Sequence, residues 1–143
     1  MNNPLFQLKD RVSVVSGAAQ GLGRATALAL AQAGSHLLLV DRNLEGAEQT
    51  ATAAGAFGIR VECRQTDVSN PESIRSLFED ADRIFGKVDF LGNIAGDGVL
   101  AQPEELKVEQ LQQVLNNLVI GRFCMCQEAG KRMLKQEIGR AHV

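Results

Sequence analysis

The sequence predicts an α/β fold, a partial doubly wound parallel sheet built in the order βαβαβαβα with strand order 3-2-1-4. Three observations carry this prediction. Short runs rich in valine and leucine alternate with longer stretches of helical periodicity, and strands that alternate with helices make a parallel sheet with right-handed crossovers. The run SHLLLVD is apolar throughout its middle, as a strand buried on both faces is. Three glycines follow the first run at close spacing, where a strand must turn sharply into a helix. At 143 residues the chain is long enough for one domain and too short for two.

Taken in order, residues 11–16 (RVSVVS) read as the first strand. The Ala/Leu-rich segment 25–34 reads as the first helix, closed by Gly34 in the position after its last turn. Residues 35–41 form the second strand and end in a carboxylate, and 44–54 form a second helix. The alternating run 59–65 (IRVECRQ) is the third strand. Ser69, Asn70, Pro71 and Glu72 have capping-box spacing with a proline tolerated in the first turn. Ile74, Leu77, Phe78, Ala81, Ile84 and Phe85 then fall on one helical stripe, which Gly86 ends. Residues 87–93 (KVDFLGN) give a fourth strand, and 104 to about 136 read as one long helix with Leu111, Val114, Leu115 and Leu118 on a common face.

Composition narrows the function classes. A net charge of −2 and a balanced 22% of charged residues argue against a nucleic-acid or anionic-membrane surface. No apolar run reaches the roughly 18 residues of a membrane span. Three cysteines, Cys63, Cys124 and Cys126, have no zinc-type spacing and are too few for a disulfide framework, which points to a cytoplasmic setting with free thiols. Cys124 and Cys126, a C-x-C in the last helix, read as packed thiols in preference to a redox pair. His36, inside a strand, reads as a packed histidine. Tyrosine and tryptophan are both absent, so this stretch offers no phenolic acid.

The glycines Gly17, Gly21 and Gly23 form G-x-x-x-G-x-G between the first strand and the first helix. Such spacing serves a sharp turn, a close backbone approach to a pyrophosphate, and tight packing of helix on sheet. The helix N-terminus then presents free N–H groups to the phosphates. Gln20 and Leu22, set between the glycines, join them as candidate contacts, although glycine turns between strand and helix are common without any ligand. Asp41 ends the second strand 18 residues after Gly23, near the spacing of the acid that binds an adenosine ribose diol. A carboxylate there accepts from a 2′-OH and repels a 2′-phosphate, so the expected cofactor is NAD in preference to NADP. Arg42 beside it reads two ways, as a stacking partner for adenine or as a phosphate contact. The plainer reading of Asp41 is an aspartate that only starts a turn.

These motifs resemble the short-chain dehydrogenase/reductase family, whose glycine pattern is T-G-x-x-x-G-x-G; Ser16 stands for the threonine. Asp67 and Val68 match the family's Asp-Val pair against adenine. Asn93, Ala95 and Gly96 match its N-N-A-G at the end of the fourth strand, with Ile94 replacing the second asparagine. The resemblance implies that these residues stabilise the sheet centre and line the nicotinamide ribose. It covers about residues 10–137. In the long helix the family pattern V-N-L-x-G-x-F, anchored on Gly121, puts Leu118 where a catalytic-site asparagine belongs. Asn116 and Asn117 stand two and one residues early, and Asn117 is the candidate for that role.

The family's serine and Tyr-x-x-x-Lys pair have no counterpart in this sequence, and Lys131 and Lys135 read as solvated charges. Residues 1–137 are therefore expected to be the NAD(P)-binding Rossmann portion of a short-chain oxidoreductase acting on alcohols or carbonyls. Its partners would be a dinucleotide and, in the whole parent, a small alcohol or carbonyl substrate; the resemblance implies a homo-oligomer. A short non-catalytic dinucleotide-binding module is the alternative. An epimerase or dehydratase fits less well, because those relatives space their glycines G-x-x-G-x-x-G. Residues 138–143 (IGRAHV) coincide at every position with one translated frame of a common sequencing-library adapter. They are expected to be foreign to the protein, which leaves His142 without a role; a genuine basic tail is the other reading.

Overall fold

The computed structural model describes residues 6–136. The segment 138–143, read above as foreign, lies outside the described residues. Four parallel strands form one sheet in the order 3-2-1-4, as predicted: β1 (Val12–Ser16), β2 (His36–Asp41), β3 (Val61–Gln65) and β4 (Phe90–Asn93). β1 is central, with Val14 beside Leu38 of β2 on one side and Leu91 of β4 on the other. β2 pairs onward with β3, Leu39 facing Cys63.

Alternation along β1 and β2 sends side chains into two cores. Val15, Leu37 and Leu39 face α1 (Gly21–Gln32) and α2 (Leu44–Gly55), where they meet Ala27, Ala31 and Ala54. Small alanines let these two helices lie close on the sheet. Val14, Leu38 and Val40 face the other way, against Ile74, Leu77, Phe78 and Ala81 of α3 (Pro71–Phe85) and against Met125 and Ala129. A sheet covered on both faces must be apolar on both, which is why LLLV shows no alternation.

The observed elements differ from the expected ones mostly at their ends. β3 begins at Val61 and β4 at Phe90, shorter than expected at the N-terminal side. Before β4, Asp89 is taken up otherwise: its Oδ2 accepts from Val12 N at 2.8 Å and its backbone N–H donates to Val12 O at 2.8 Å. α1 begins at Gly21, four residues before residue 25, so two motif glycines belong to its first turn. The cap of α3 is Asn70, whose Oδ1 accepts from Glu72 N and Ser73 N. A proline at the first helical position requires an extended residue before it, and Asn70 meets that requirement with ψ 109.

The largest difference lies in the long helix. It starts at Val108, because Pro103 and its neighbours turn, with Leu106 N bonded to Gln102 O at 3.1 Å. α4 (Val108–Leu115) then runs through a π turn (Asn116–Gly121) into α5 (Arg122–Lys135). α4 buries none of its residues: Leu111 and Leu115, placed on a common face by the sequence, are exposed. α5 is fastened to α3 by Arg132, which donates to both Asp82 oxygens at 2.9 and 2.7 Å and to Glu128 Oε2 at 2.8 Å. The same guanidinium lies 5.2 Å from the centre of the Phe78 ring.

Candidate functional site

At the carboxyl ends of the strands a cleft of about 420 Å³ opens over β1, between β2 and β4. Its floor is the turn from β1 into α1. Gly17 adopts φ +73 there and Gly21 φ +55, the left-handed region that favours glycine. Gly23 is required for a different reason: a Cβ on it would stand 1.9 Å from the Gly17 carbonyl oxygen. The turn is fastened to β2 by Gly17 N and Ala18 N, which donate to Val40 O at 2.8 and 3.2 Å. It is fastened to β4 through Ser16, whose buried hydroxyl accepts from Ile94 N at 3.0 Å and Ala95 N at 3.1 Å. The hydroxyl kept at this position therefore joins the two sides of the cleft.

The first turn of α1 is open. Its N-cap Gln20 makes no side-chain capping bond, and no acidic residue lies in that turn. α2 and α3 are both capped by asparagines and carry Glu45 and Glu72 in their first turns. Of these three helix starts, only that of α1 has neither a side-chain cap nor an acidic residue, which leaves its N–H groups and partial positive charge to a ligand.

Asp41 stands beside this turn. Its Oδ2 accepts from Ala19 N at 3.0 Å and its Oδ1 from Asn43 N at 2.9 Å. A carboxylate has about four acceptor positions, so each oxygen retains capacity for a diol. Arg42 next to it is ion-paired with Asp97, beyond β4, across the mouth of the cleft. Asp67 accepts from the Ser69 hydroxyl and the Ser69 N–H, which hold its carboxyl below the usual value. Val68 is buried beneath the cleft.

The structure gathers Gly17, Gln20, Gly21, Leu22, Gly23, Asp41, Arg42, Asp67, Val68, Ala95, Gly96 and Asn117 on this cleft. It does not place Asn93 there. The Asn93 amide turns toward the helix, donating to Arg122 O at 3.0 Å and to Cys126 Sγ at 3.5 Å. Its position ties β4 to α5, since an amide at the last residue of a strand can reach either the cleft or the helix layer. Ala19, Asn43, Thr66, Ile94 and Asp97 also line the cleft and were not expected. Asn43 and Ala19 neighbour the motif residues, but they act through backbone and cap geometry, which leaves no side-chain signature. Asn117 is 6% exposed, and its Oδ1 is buried without a hydrogen-bond partner. An orphan acceptor of this kind is uncommon in a folded protein and calls for a donor.

A sequence model described as short chain dehydrogenase matches residues 11–141. The chain belongs to the short-chain dehydrogenase family. Among its relatives, a D-threitol dehydrogenase of Mycolicibacterium smegmatis is 38% identical over 130 residues, covering 91% of this chain and 50% of that protein. A 3-oxoacyl-[acyl-carrier-protein] reductase of Bos taurus is 35% identical over 133 residues, covering 91% and 54%. The solved structure of an NAD+-bound xylitol dehydrogenase superposes with a TM-score of 0.85 at 31% identity, over 90% of this chain and 50% of that one. The chain thus spans about half the length of the short-chain dehydrogenases it matches. Among the described residues no helix is long and apolar enough to cross a membrane.

Proposed function

We propose that these residues are the dinucleotide-binding half of an NAD(P)-linked oxidoreductase that acts on alcohol or carbonyl carbons in the cytosol, with NAD preferred over NADP. The observation that carries the reading is the uncapped first turn of α1, seated on the Gly17–Gly23 contact and opening into a cleft with Asp41 at one side. The N–H groups of that turn would receive the pyrophosphate. Asp41 would take the adenosine ribose diol, and Asp67 with Val68 would flank the adenine. Ala95, Gly96 and Asn117 would line the opposite end, where the nicotinamide belongs. The cradle fits such a group: Gly17 and Gly23 have no room for a side chain, and Asn117 Oδ1 waits for a donor.

When bound, the nicotinamide supplies a hydride acceptor or donor. The residues of this chain bind and orient it. With no tyrosine among the 143 residues, they furnish no phenolic proton donor, and this favours binding over complete catalysis for this stretch. The polyol substrates named for two of the relatives, threitol and xylitol, suggest a polyhydroxylated alcohol as the substrate class of the whole protein. The absence of tyrosine from these residues equally fits a non-catalytic dinucleotide-binding module.

Calorimetric titration with NADH, NADPH and AMP tests the reading. NADH is expected to bind more tightly than NADPH, and Asp41→Ala should weaken NADH more than NADPH by roughly three- to tenfold. Equal losses for both would remove the basis for the NAD preference. Absence of binding by all three would overturn the dinucleotide reading. Oxidation of a polyol by the unaltered chain, followed by nicotinamide absorbance, would overturn the assignment of this stretch to binding alone.

A further inference from the structure

Charge is spread unevenly around the cleft. Asp41, Asp67 and Asp97 line it with carboxylates, and Arg42 is the only cation among the described residues that do so. Asp41 and Asp67 are each held by backbone or hydroxyl donors, Ala19 N and Asn43 N for the first and the Ser69 hydroxyl and N–H for the second. Asp97 has one partner among the described residues, the Arg42 guanidinium.

This ion pair joins the two sides of the site. Arg42 follows the last residue of β2, and its carbonyl oxygen is fastened to the end of β3 by Gln65 Nε2 at 3.0 Å. Asp97 lies beyond β4, and β1 runs between them, so the pair passes over the carboxyl end of β1, where the glycine turn begins. The two side chains are 57% and 65% exposed, so burial holds neither in place and either can change partner. The charge of Arg42 also reaches Asp67, whose carboxyl is held low chiefly by the bonds from Ser69 and in smaller part by that charge.

A ribose diol and a ribose 2′-phosphate meet this arrangement differently. The diol is bound by the acid at the end of β2 and makes no claim on the guanidinium. The 2′-phosphate calls for an arginine close to that acid, which would hold it by charge-assisted, bidentate hydrogen bonds. Arg42 can supply those only by leaving Asp97, whose carboxylate then stands unpaired near a dianion.

We infer that Asp97 is a specificity-determining residue: by engaging the Arg42 guanidinium across the cleft, it withholds the one lining cation from a 2′-phosphate and leaves the diol site at Asp41 untouched. Asp41 excludes the phosphate by repulsion, and Asp97 excludes it from the far side of β1 by occupying its partner. The inference rests on the dinucleotide reading above and deepens its preference for NAD.

Calorimetry with AMP and with adenosine 2′,5′-bisphosphate, which differ only in the 2′-phosphate, tests it on the 143-residue chain. Asp97→Asn should raise the affinity for the bisphosphate relative to AMP roughly two- to fivefold, the range that releasing an exposed ion pair allows. In an Arg42→Gln background the same change should leave that ratio within about 1.5-fold of its starting value, because no guanidinium remains to be released. An unmoved ratio in Asp97→Asn, or an equal rise in the Arg42→Gln background, overturns the inference; the second result would reduce Asp97 to one negative charge near the cleft. AMP binding in either case leaves the dinucleotide reading standing. Should the unaltered chain bind AMP and no bisphosphate, bisphosphate binding is expected to emerge in Asp97→Asn, and its continued absence overturns the inference. Failure of the unaltered chain to bind any of AMP, NADH and NADPH overturns both.

Discussion

Gly23 shows how a single atom can decide the site. The Cβ of any other residue would stand 1.9 Å from the Gly17 carbonyl oxygen, and the obstacle is backbone that also anchors the sheet. Gly23→Ala is therefore expected to lower the melting temperature and abolish dinucleotide binding together, whereas Gly55→Ala, which has open space around its Cβ position, should leave both close to the parent. Residue by residue, most of the site could be read from the chain because its chemistry is local: glycine where the backbone approaches, a carboxylate at a strand end, Asp-Val at the next. Asn93 was misread because the direction of an amide at a strand end is set by the neighbouring helix. Asn117 could be nominated but not oriented, since the phase of its helix depends on a π turn that hydrophobic spacing does not reveal. Of the two thiols expected to pack, Cys124 is half-buried and Cys126 is exposed. Cys63 is half-buried, and burial, with Glu48 and Glu62 nearby, pushes it up to about 11.

The elements divide by how they are begun. Asn70 closes the start of α3 with two accepted N–H bonds at 3.0 and 3.4 Å. Asn70→Ala should destabilise the protein by about 1 kcal/mol in urea unfolding without altering nucleotide affinity, because neither Asn70 nor the first turn of α3 lines the cleft. A change in affinity would show that α3 communicates with the site. Strand order and helix placement were legible because β1 and β2 are apolar on both faces and α3 carries a clean stripe, which together leave one parallel arrangement. Boundaries were less legible. β4 is three residues shorter than expected because Asp89 closes the entry to β1 with its carboxylate and its N–H, a tertiary use that competes with the strand. The single long helix divides at a π turn over Asn116–Gly121, where Gly121 rests on the Val68 peptide.

Across the whole molecule, charge fastens what the sheet does not. Glu128 lies among Lys131 and Arg132, and the hydrogen bond from Lys131, then that from Arg132, hold it below its ordinary 4.5 despite its burial. Asp80 is likewise lowered, by Arg83 and then Arg64. A carboxylate whose folded value is depressed binds fewer protons folded than unfolded, so its contribution to stability is present above the unfolded value and lost as pH falls through the folded one. The urea midpoint should therefore hold from neutrality to about pH 5 and decline below it. Glu128→Gln should lower the midpoint at neutral pH and make the acid decline shallower. An unchanged acid slope would mean that other groups carry it. Leu111, Leu115, Val119, Ile120 and Phe123 are exposed along α4, the π turn and α5.

The contrast between the three helix starts has a consequence in time as well as in space. In α2 the Gly46 amide, and in α3 those of Glu72 and Ser73, donate to asparagines of their own chain, so exchange of these amides is expected to be independent of ligand concentration. Those of α1 have no such guardian, so their protection is borrowed from whatever occupies the cleft and grows with the logarithm of its concentration. The ordering of this one turn thus becomes a property of the solution around the protein, and hydrogen exchange at Leu22 and Gly23 would record how much cofactor is present, residue by residue, before any reaction is run.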